Sequence, residues 1–500
     1  MPDSPKKPLL QNYIILPTRG IQPTESTTAF FSALKTGVAL NSVVRDDLPP
    51  EAVVLDSTRD TGAKLVQLPE DVVAEVRAAQ PGLRIVPEVF YQPQRYMPVI
   101  RVQARQQAQA PKAAVQIQFV DKVSGQPIQN AYVVAFTNFE QRVGEGGNTD
   151  AEGKISFKSL GGQTIEQLYV YPAKDYWSLW RRNLKFTNKE VFKLQPVKLD
   201  YVDAKRYFYP TPAETDGTGV RVGIIDTGVG PHPNLTVAGG LCTVTGENPD
   251  EYTDVDQHGS HVAGIVAARA PDPKGMWGVA PGVDLYAYRV FGKNSQGASN
   301  FAIIKAIEQA VADGCDVINM SLGGGSPDEA TQDAITYAFD HGTIAFVATG
   351  NDGRQPVSFP ASFSLSLAVG AMGRKGTFPA NTTDAPNVAA PYGTDPKNFV
   401  AEFSNIGPEV DFIAPGVGIL STVPGGYAPM SGTSMACPMA TGAAARLLAT
   451  QPETLNLPRS SARSEAFIKF LTSKVKSMGF GAIYEGQGLI PYEPIAPPVV

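Results

Sequence analysis

The sequence predicts an α/β protein built on a parallel sheet with helices on both faces, preceded by a small α/β unit and a small β-sandwich. Three observations carry this expectation. From about residue 205, the apolar runs Val220 to Ile225, Leu285 to Val290, Val317 to Met320, Ile344 to Val347 and Val410 to Ile413 alternate with helical stretches such as Ala302 to Ala312 and Glu329 to Asp340. Strands that are apolar on both faces belong in a sheet covered on both sides, with functional residues at the strand ends. Between 113 and 200, Val115, Ile117 and Phe119 alternate with polar residues, and the turn Thr149 to Gly153 precedes Ile155 and Phe157, which is the period of half-buried strands. Residues 12 to 95 mix both periods.

In that first unit Tyr13 to Leu16, Ala52 to Leu55, Lys64 to Leu68 and Leu83 to Glu88 read as strands, with Thr18 to Pro50 irregular. Pro69 to Ala79 reads as a helix, with proline and acids in its first turn and Val72, Val73 and Val76 on one face. Gln103 to Pro111 lacks core residues and reads as a linker. The expected organisation is an α/β unit over 1–102, a linker over 103–112, a β-sandwich over 113–200, a large α/β domain over 201–492 and a proline-rich tail over 493–500. Trp177 and Trp180 suit either a recognition patch or a local core.

Five hundred residues with a net charge of −6 and 18% charged residues describe an ordinary soluble chain. No basic stripe points to nucleic acid, and no apolar run approaches the ~18 residues of a membrane span. Cys242, Cys315 and Cys437 give no disulfide framework and suit a reducing compartment. Residues Met1 to Leu10 lack the apolar stretch of a signal peptide, so the expected location is cytoplasmic, with secretion as the alternative.

The chemistry is expected where Gly432 to Pro438 delivers Ser434 to the first turn of a helix of small residues. Free N–H groups at such a helix start favour an anion developing on a substrate. A serine there is commonly only a cap. Three further residues alter the balance: Asp226 ends an apolar strand, His258 stands at the mouth of an apolar helix, and Asn351 lies just beyond another strand. Alone, each has a bland role as a turn or cap residue.

Together, Asp226-Thr-Gly, His258-Gly-Ser-His-Val-Ala-Gly, Ser321-Leu-Gly-Gly, Gly350-Asn351 and Gly432-Thr-Ser-Met-Ala resemble the motifs of subtilisin-like serine proteases, in the same chain order. The resemblance covers about half of the chain. It implies a serine endopeptidase acting on protein or peptide substrates, with Ser434 as nucleophile, His258 as base, Asp226 orienting the imidazole, and Asn351 with the Ser434 N–H holding the oxyanion. It implies further that Ser321, Leu322 and Gly323 pair with an extended substrate opposite Arg289 to Gly297, that Ala348, Thr349 and Gly350 line the specificity pocket, and that Asp352 and Ser358 lie near its rim and base. Asp352 hints at tolerance of a basic side chain, and broad cleavage after large apolar residues is expected.

Residues 1–102 resemble the inhibitory prodomain of this family, whose tail lies along the cleft, so a self-inhibited precursor is expected, with its own N-terminal unit as partner. The intervening β module resembles transthyretin-like modules and leaves the cleavage site open. The alternative is a catalytically silent or partner-restricted peptide-binding protein. No cofactor is expected. His258 and His261 do not make a zinc pair, because no further ligand motif accompanies them. His261 is expected to pack or hydrogen-bond beneath the catalytic helix. Arg269 to Gly275 stands where many relatives have a calcium loop, but its basic residues near each end make calcium a possible but doubtful ligand. Ser260 replaces a commoner threonine, Cys437 reads as a small packed residue, and Gly373 to Asn405 is an insertion read as a lid or a surface loop. Tyr484 to Ile490 resembles the family's closing segment.

Overall fold

Alternation along single strands explains how the N-terminal unit is held. In the computed structural model, which describes residues 9–17, 25–43, 52–79, 83–97, 113–210, 212–295 and 297–492, four antiparallel strands lie in the order Val53–Ser57, Lys64–Pro69, Leu10–Leu16, Arg84–Pro87. Tyr13 and Ile15 join Phe31, Val66 and Val76 in the unit's own core. Their neighbours Ile14 and Leu16 point the opposite way and join the cluster that contains Phe301, Ile304 and Ile335 of the large domain. Ion pairs rim this contact: Lys305 with Asp56 at 3.0 Å, Arg59 with Glu308 at 3.5 Å, and Arg84 with both Glu329 and Asp333. A helix over Glu25–Ala33 falls in the stretch expected to be irregular. Its polar, β-branched start hides it from periodicity, and it is fixed by burial of Phe31. The expected linker at 103–112 and tail at 493–500 lie outside the described residues.

The β module forms two sheets around one core. Leu179–Lys185, Thr164–Tyr171, Tyr132–Asn138 and Val143–Asn148 make one, and Glu190–Leu194, Val115–Asp121 and Lys154–Phe157 the other. Ile117, Phe119, Val133, Phe157 and Leu168 fill the space between them. Trp177 belongs to neither sheet. At 1% exposure it is sunk in the core of the large domain, its ring 5.1 Å from that of Tyr201, and so anchors the module rather than forming a recognition patch.

The large domain is a nine-stranded sheet. Gly239–Cys242, Asp284–Arg289, Arg221–Asp226, Val317–Met320, Ile344–Ala348 and Ser366–Arg374 run parallel in that order, and Val410–Pro415 adds parallel to the last. Val222, Val317 and Phe346 face the helices His258–Ala267 and Thr433–Leu448. Ile225, Ile318 and Val347 face Asn300–Ala312 and Glu329–Asp340. The all-parallel expectation is corrected at one edge, where Asn398–Ala401 and Val388–Tyr392 are antiparallel. Both strands come from the insertion 373–405, which therefore extends the sheet instead of forming a lid. Among the described residues no helix is long and apolar enough to cross a membrane.

Candidate active site

Asp226 is the last residue of its strand and His258 the first of its helix, so a strand end and a helix start meet. The two side chains are 0–1% exposed, and His258 Nδ1 lies 2.7 Å from Asp226 Oδ1. Asp254 organises the approach to this helix. Its carboxylate accepts from the N–H groups of Asp256 and Gln257 at 2.9 Å and of Ser260 at 2.7 Å, and from Thr227 Oγ1 at 2.9 Å. Thr227 Oγ1 in turn accepts from Gly259 N at 2.8 Å, tying the helix start to the end of the Asp226 strand. Sequence reasoning missed Asp254, although an acid just ahead of a helix is a capping signal. The hydroxyl at Ser260 accepts from Gly230 N at 2.9 Å.

Burial is the largest influence on His258 and lowers its pKa, but the charge and hydrogen bond of Asp226, with Asp256 further off, outweigh it and leave the imidazole above its ordinary value. His261 has no such carboxylate. Its Nε2 donates to the carbonyls of Ile419 and Ala428, and burial lowers its pKa to about 3, so it braces the helix from beneath.

Ser434 is the second residue of the helix Thr433–Leu448, all of whose residues are buried, with Cys437 among them. Pro438 has no N–H to give the carbonyl of Ser434, and Ser321 Oγ donates to that oxygen at 3.0 Å instead. Ser434 Oγ donates to Ser321 O at 2.9 Å, while His258 Nε2 is buried without a partner among the described residues. Asp226 and His258 are thus paired, and the serine hydroxyl is turned aside from them. Asn351 is fixed by Thr433, whose N–H and hydroxyl donate to its Oδ1 at 2.9 and 3.0 Å.

The cleft is filled by the chain itself. Phe90–Pro93 is a strand between two others, with Tyr91 opposite Ala298 on one side and Pro93 and Gln92 opposite Leu322 and Gly323 on the other. The opposing edge is therefore Ala298–Ser299, one step beyond the expected Arg289 to Gly297. Gln94 N donates to Ser321 O at 3.0 Å. The carbonyl oxygen of Gln94 then receives two donors, Asn351 Nδ2 at 2.6 Å and Ser434 N at 3.1 Å. Gly432, at φ +151°, permits this approach, because a Cβ there would stand 2.5 Å from the same oxygen. The chain continues without a break through Arg95 to Tyr96, whose N–H donates to Ser431 O at 2.8 Å.

The buried side chain of Gln94 lies against Gly323 and Gly324. Ser358 donates through its N–H and its hydroxyl to Thr349 O at 2.9 and 3.0 Å, Ala348 ends its strand, and Gly350 N donates to Thr433 Oγ1 at 3.3 Å. The residue whose side chain lies here is a glutamine. Asp352 is engaged by Asn405, whose Nδ2 donates to its carboxylate at 2.8 Å.

Residues 217–470 match the subtilase family. The chain belongs to that family. Its relatives include subtilisin DY of Bacillus licheniformis, 38% identical over 307 residues that make up 60% of this chain and 96% of that protein. Subtilisin BL of Lederbergia lenta is 38% identical over 242 residues, 48% of this chain and 80% of the relative. A thermostable alkaline protease of Halalkalibacterium halodurans is 37% identical over 241 residues, 48% and 60% respectively. This subtilase is a serine endopeptidase, and its substrates are proteins or peptides.

In the loop Arg269 to Gly275 of this subtilase, hydrogen bonds and a guanidinium compete with calcium for the oxygens. Calcium needs converging free oxygens. Two of the loop's carbonyls already meet N–H donors: Arg206 donates to that of Gly275 at 2.7 Å, and Trp277 Nε1 to that of Asp272 at 3.1 Å. The Arg269 guanidinium fills the space toward Glu214 O and Pro281 O.

Proposed function

We propose that this subtilase is made as a precursor that cuts its own chain between Gln94 and Arg95, using Asp226, His258 and Ser434 as its catalytic triad. One observation carries the reading: the Gln94 carbonyl sits between two N–H donors beside the serine, on a chain that continues into Arg95. Those donors, Asn351 Nδ2 and Ser434 N, are the oxyanion hole.

A turn of the serine hydroxyl from Ser321 O toward the unpartnered His258 Nε2 prepares the attack. Ser434 Oγ adds to the Gln94 carbonyl carbon as its proton passes to His258, and Asp226 stabilises the imidazolium so formed. The bond to Arg95 N breaks as His258 returns the proton to that nitrogen. Water then hydrolyses the Gln94 ester, giving a carboxylate and restoring the serine.

In this reading residues 1–94 are an inhibitory prodomain held by the strand Phe90–Pro93 and the ion pairs of Arg84. Residues 113–200 are a β-sandwich that stays with the catalytic domain of about 201–492. Ser321, Leu322 and Gly323 bind the substrate backbone, and Ala348, Thr349 and Gly350 border the pocket that holds Gln94.

Intact mass of the purified chain over time, beside Ser434→Ala, tests this, with casein digestion on the same samples. The wild type is expected to release residues 1–94 and gain activity while the variant stays whole. A folded wild type that never loses this fragment defeats the precursor reading, and one also inert toward casein favours a peptide-binding protein.

A further inference from the structure

Beyond the scissile bond, the cleft is walled partly by the β module. Tyr96 stacks on Phe403, with ring centres 4.5 Å apart and planes 27° from parallel. Arg95 lines a small cavity, about 60 Å³, together with Tyr171 and Tyr176 of the module and Gln257 and Asp384 of the large domain. The hydroxyl of Tyr171 is buried with no partner among the described residues, and Asp384 is 5% exposed. Burial is the largest influence on the Arg95 guanidinium and disfavours its charge, and Asp256 is the carboxylate that most opposes this.

This wall is firmly built. Ser178 and Thr383 share a hydroxyl contact at 2.8 Å, Trp180 N donates to Asn381 O at 2.7 Å, and Asp175 Oδ1 accepts from Tyr427 N at 3.0 Å. Because the module follows residue 94, it remains when the N-terminal unit leaves.

We propose that Tyr171, with Asp256 and Asp384, forms the binding site for the residue immediately after the cleaved bond and selects a basic side chain there, while Phe403 favours an aromatic residue next. The substrates so selected are proteins with an exposed Arg or Lys followed by an aromatic residue. A guanidinium or ammonium in this cavity meets the negative charge of Asp256 beside the buried Asp384 and the phenol of Tyr171, whereas an acid meets repulsion. The inference rests on the cleavage register of the proposed precursor.

The test uses the processed full chain and quenched peptides bearing Phe-Tyr-Gln-Pro-Gln before the bond and Arg-Tyr, Ala-Tyr, Glu-Tyr or Arg-Ala after it. An anilide of the same five residues, with nothing beyond the bond, reports whether each preparation folds and acylates. Wild type is expected to prefer Arg-Tyr over Glu-Tyr by roughly tenfold or more in kcat/KM, chiefly through KM. Tyr171→Ala and the milder Tyr171→Phe should shrink that ratio in enzyme that still cleaves the anilide. Equal rates on Arg-Tyr and Glu-Tyr, or an unchanged ratio in both variants, overturn the proposal while leaving the protease reading intact. Anilide and peptides all uncleaved by wild type overturn both.

Discussion

At the scale of single residues, Asn351 and His258 set the chemistry of the proposed mechanism. Asn351 is held by Thr433 and aims its amide at a carbonyl oxygen that also takes the Ser434 N–H, so it acts when negative charge develops there. Loss of one such donor in subtilisin costs ~10²–10³ in kcat; Asn351→Ala is expected to lose a comparable factor in steady-state peptide hydrolysis, with KM little changed. His258 must be neutral to accept the serine proton. Its pKa lies above the ordinary 6.5, so kcat/KM should rise with pH through a midpoint above that value. Asp256 contributes to this rise, and Asp256→Asn should move the midpoint down. Asp256 is exposed, so added salt should shrink the difference between the two pH profiles.

At the scale of elements, the helix that carries His258 is located by close contact with the strand Ile419–Val423. A Cβ on Gly264 would lie 2.1 Å from Thr422 Oγ1 and 2.4 Å from Ser421 Oγ. Neither hydroxyl is free to swing away, since they donate to the carbonyls of Ser260 and His261 on the same helix. Gly264→Ala gains up to about 1 kcal/mol of helix propensity but is expected to lose more to overpacking, about 1–3 kcal/mol. A lower Tm together with reduced kcat is the predicted result, because the helix must shift with its first residue. The inserted strands teach a related lesson. Asn398–Ala401 is wholly buried yet short, and its apolar Phe399 to Ala401 show no period that separates a strand from a loop.

At the scale of the whole molecule, inhibition in the proposed precursor depends on how firmly the first unit grips the large domain. Arg84 faces Glu329 and Asp333 across that contact, and Arg84→Glu replaces attraction with repulsion. The variant is expected to show a shorter lag before casein digestion than wild type, at an unchanged rate of self-cleavage by mass. An identical lag would place the grip in the strand Phe90–Pro93 and the apolar face of Ile14 and Leu16. The module, by contrast, is expected to remain with the enzyme, since Trp177 is part of the large domain's core.

By itself the sequence determined what is local. Runs such as Val220 to Ile225, alternation over Val115 to Phe119, and the short motifs around Asp226, His258, Asn351 and Ser434 announce strands, helix starts and reactive groups, because each depends on residues a few positions apart. Tertiary structure alone decided what meets across the chain. Gln94 lies 257 positions from Asn351, and nothing in its neighbours Pro93 and Arg95 marks it as the residue that enters the site. Tyr171 meets Asp384 and Gln257 of the large domain only because the module docks there, and the Arg206 guanidinium closes on the carbonyls of Leu199 and Gly275. Such contacts form between groups far apart in sequence, where shape and hydrogen-bond satisfaction, not periodicity, select the partner.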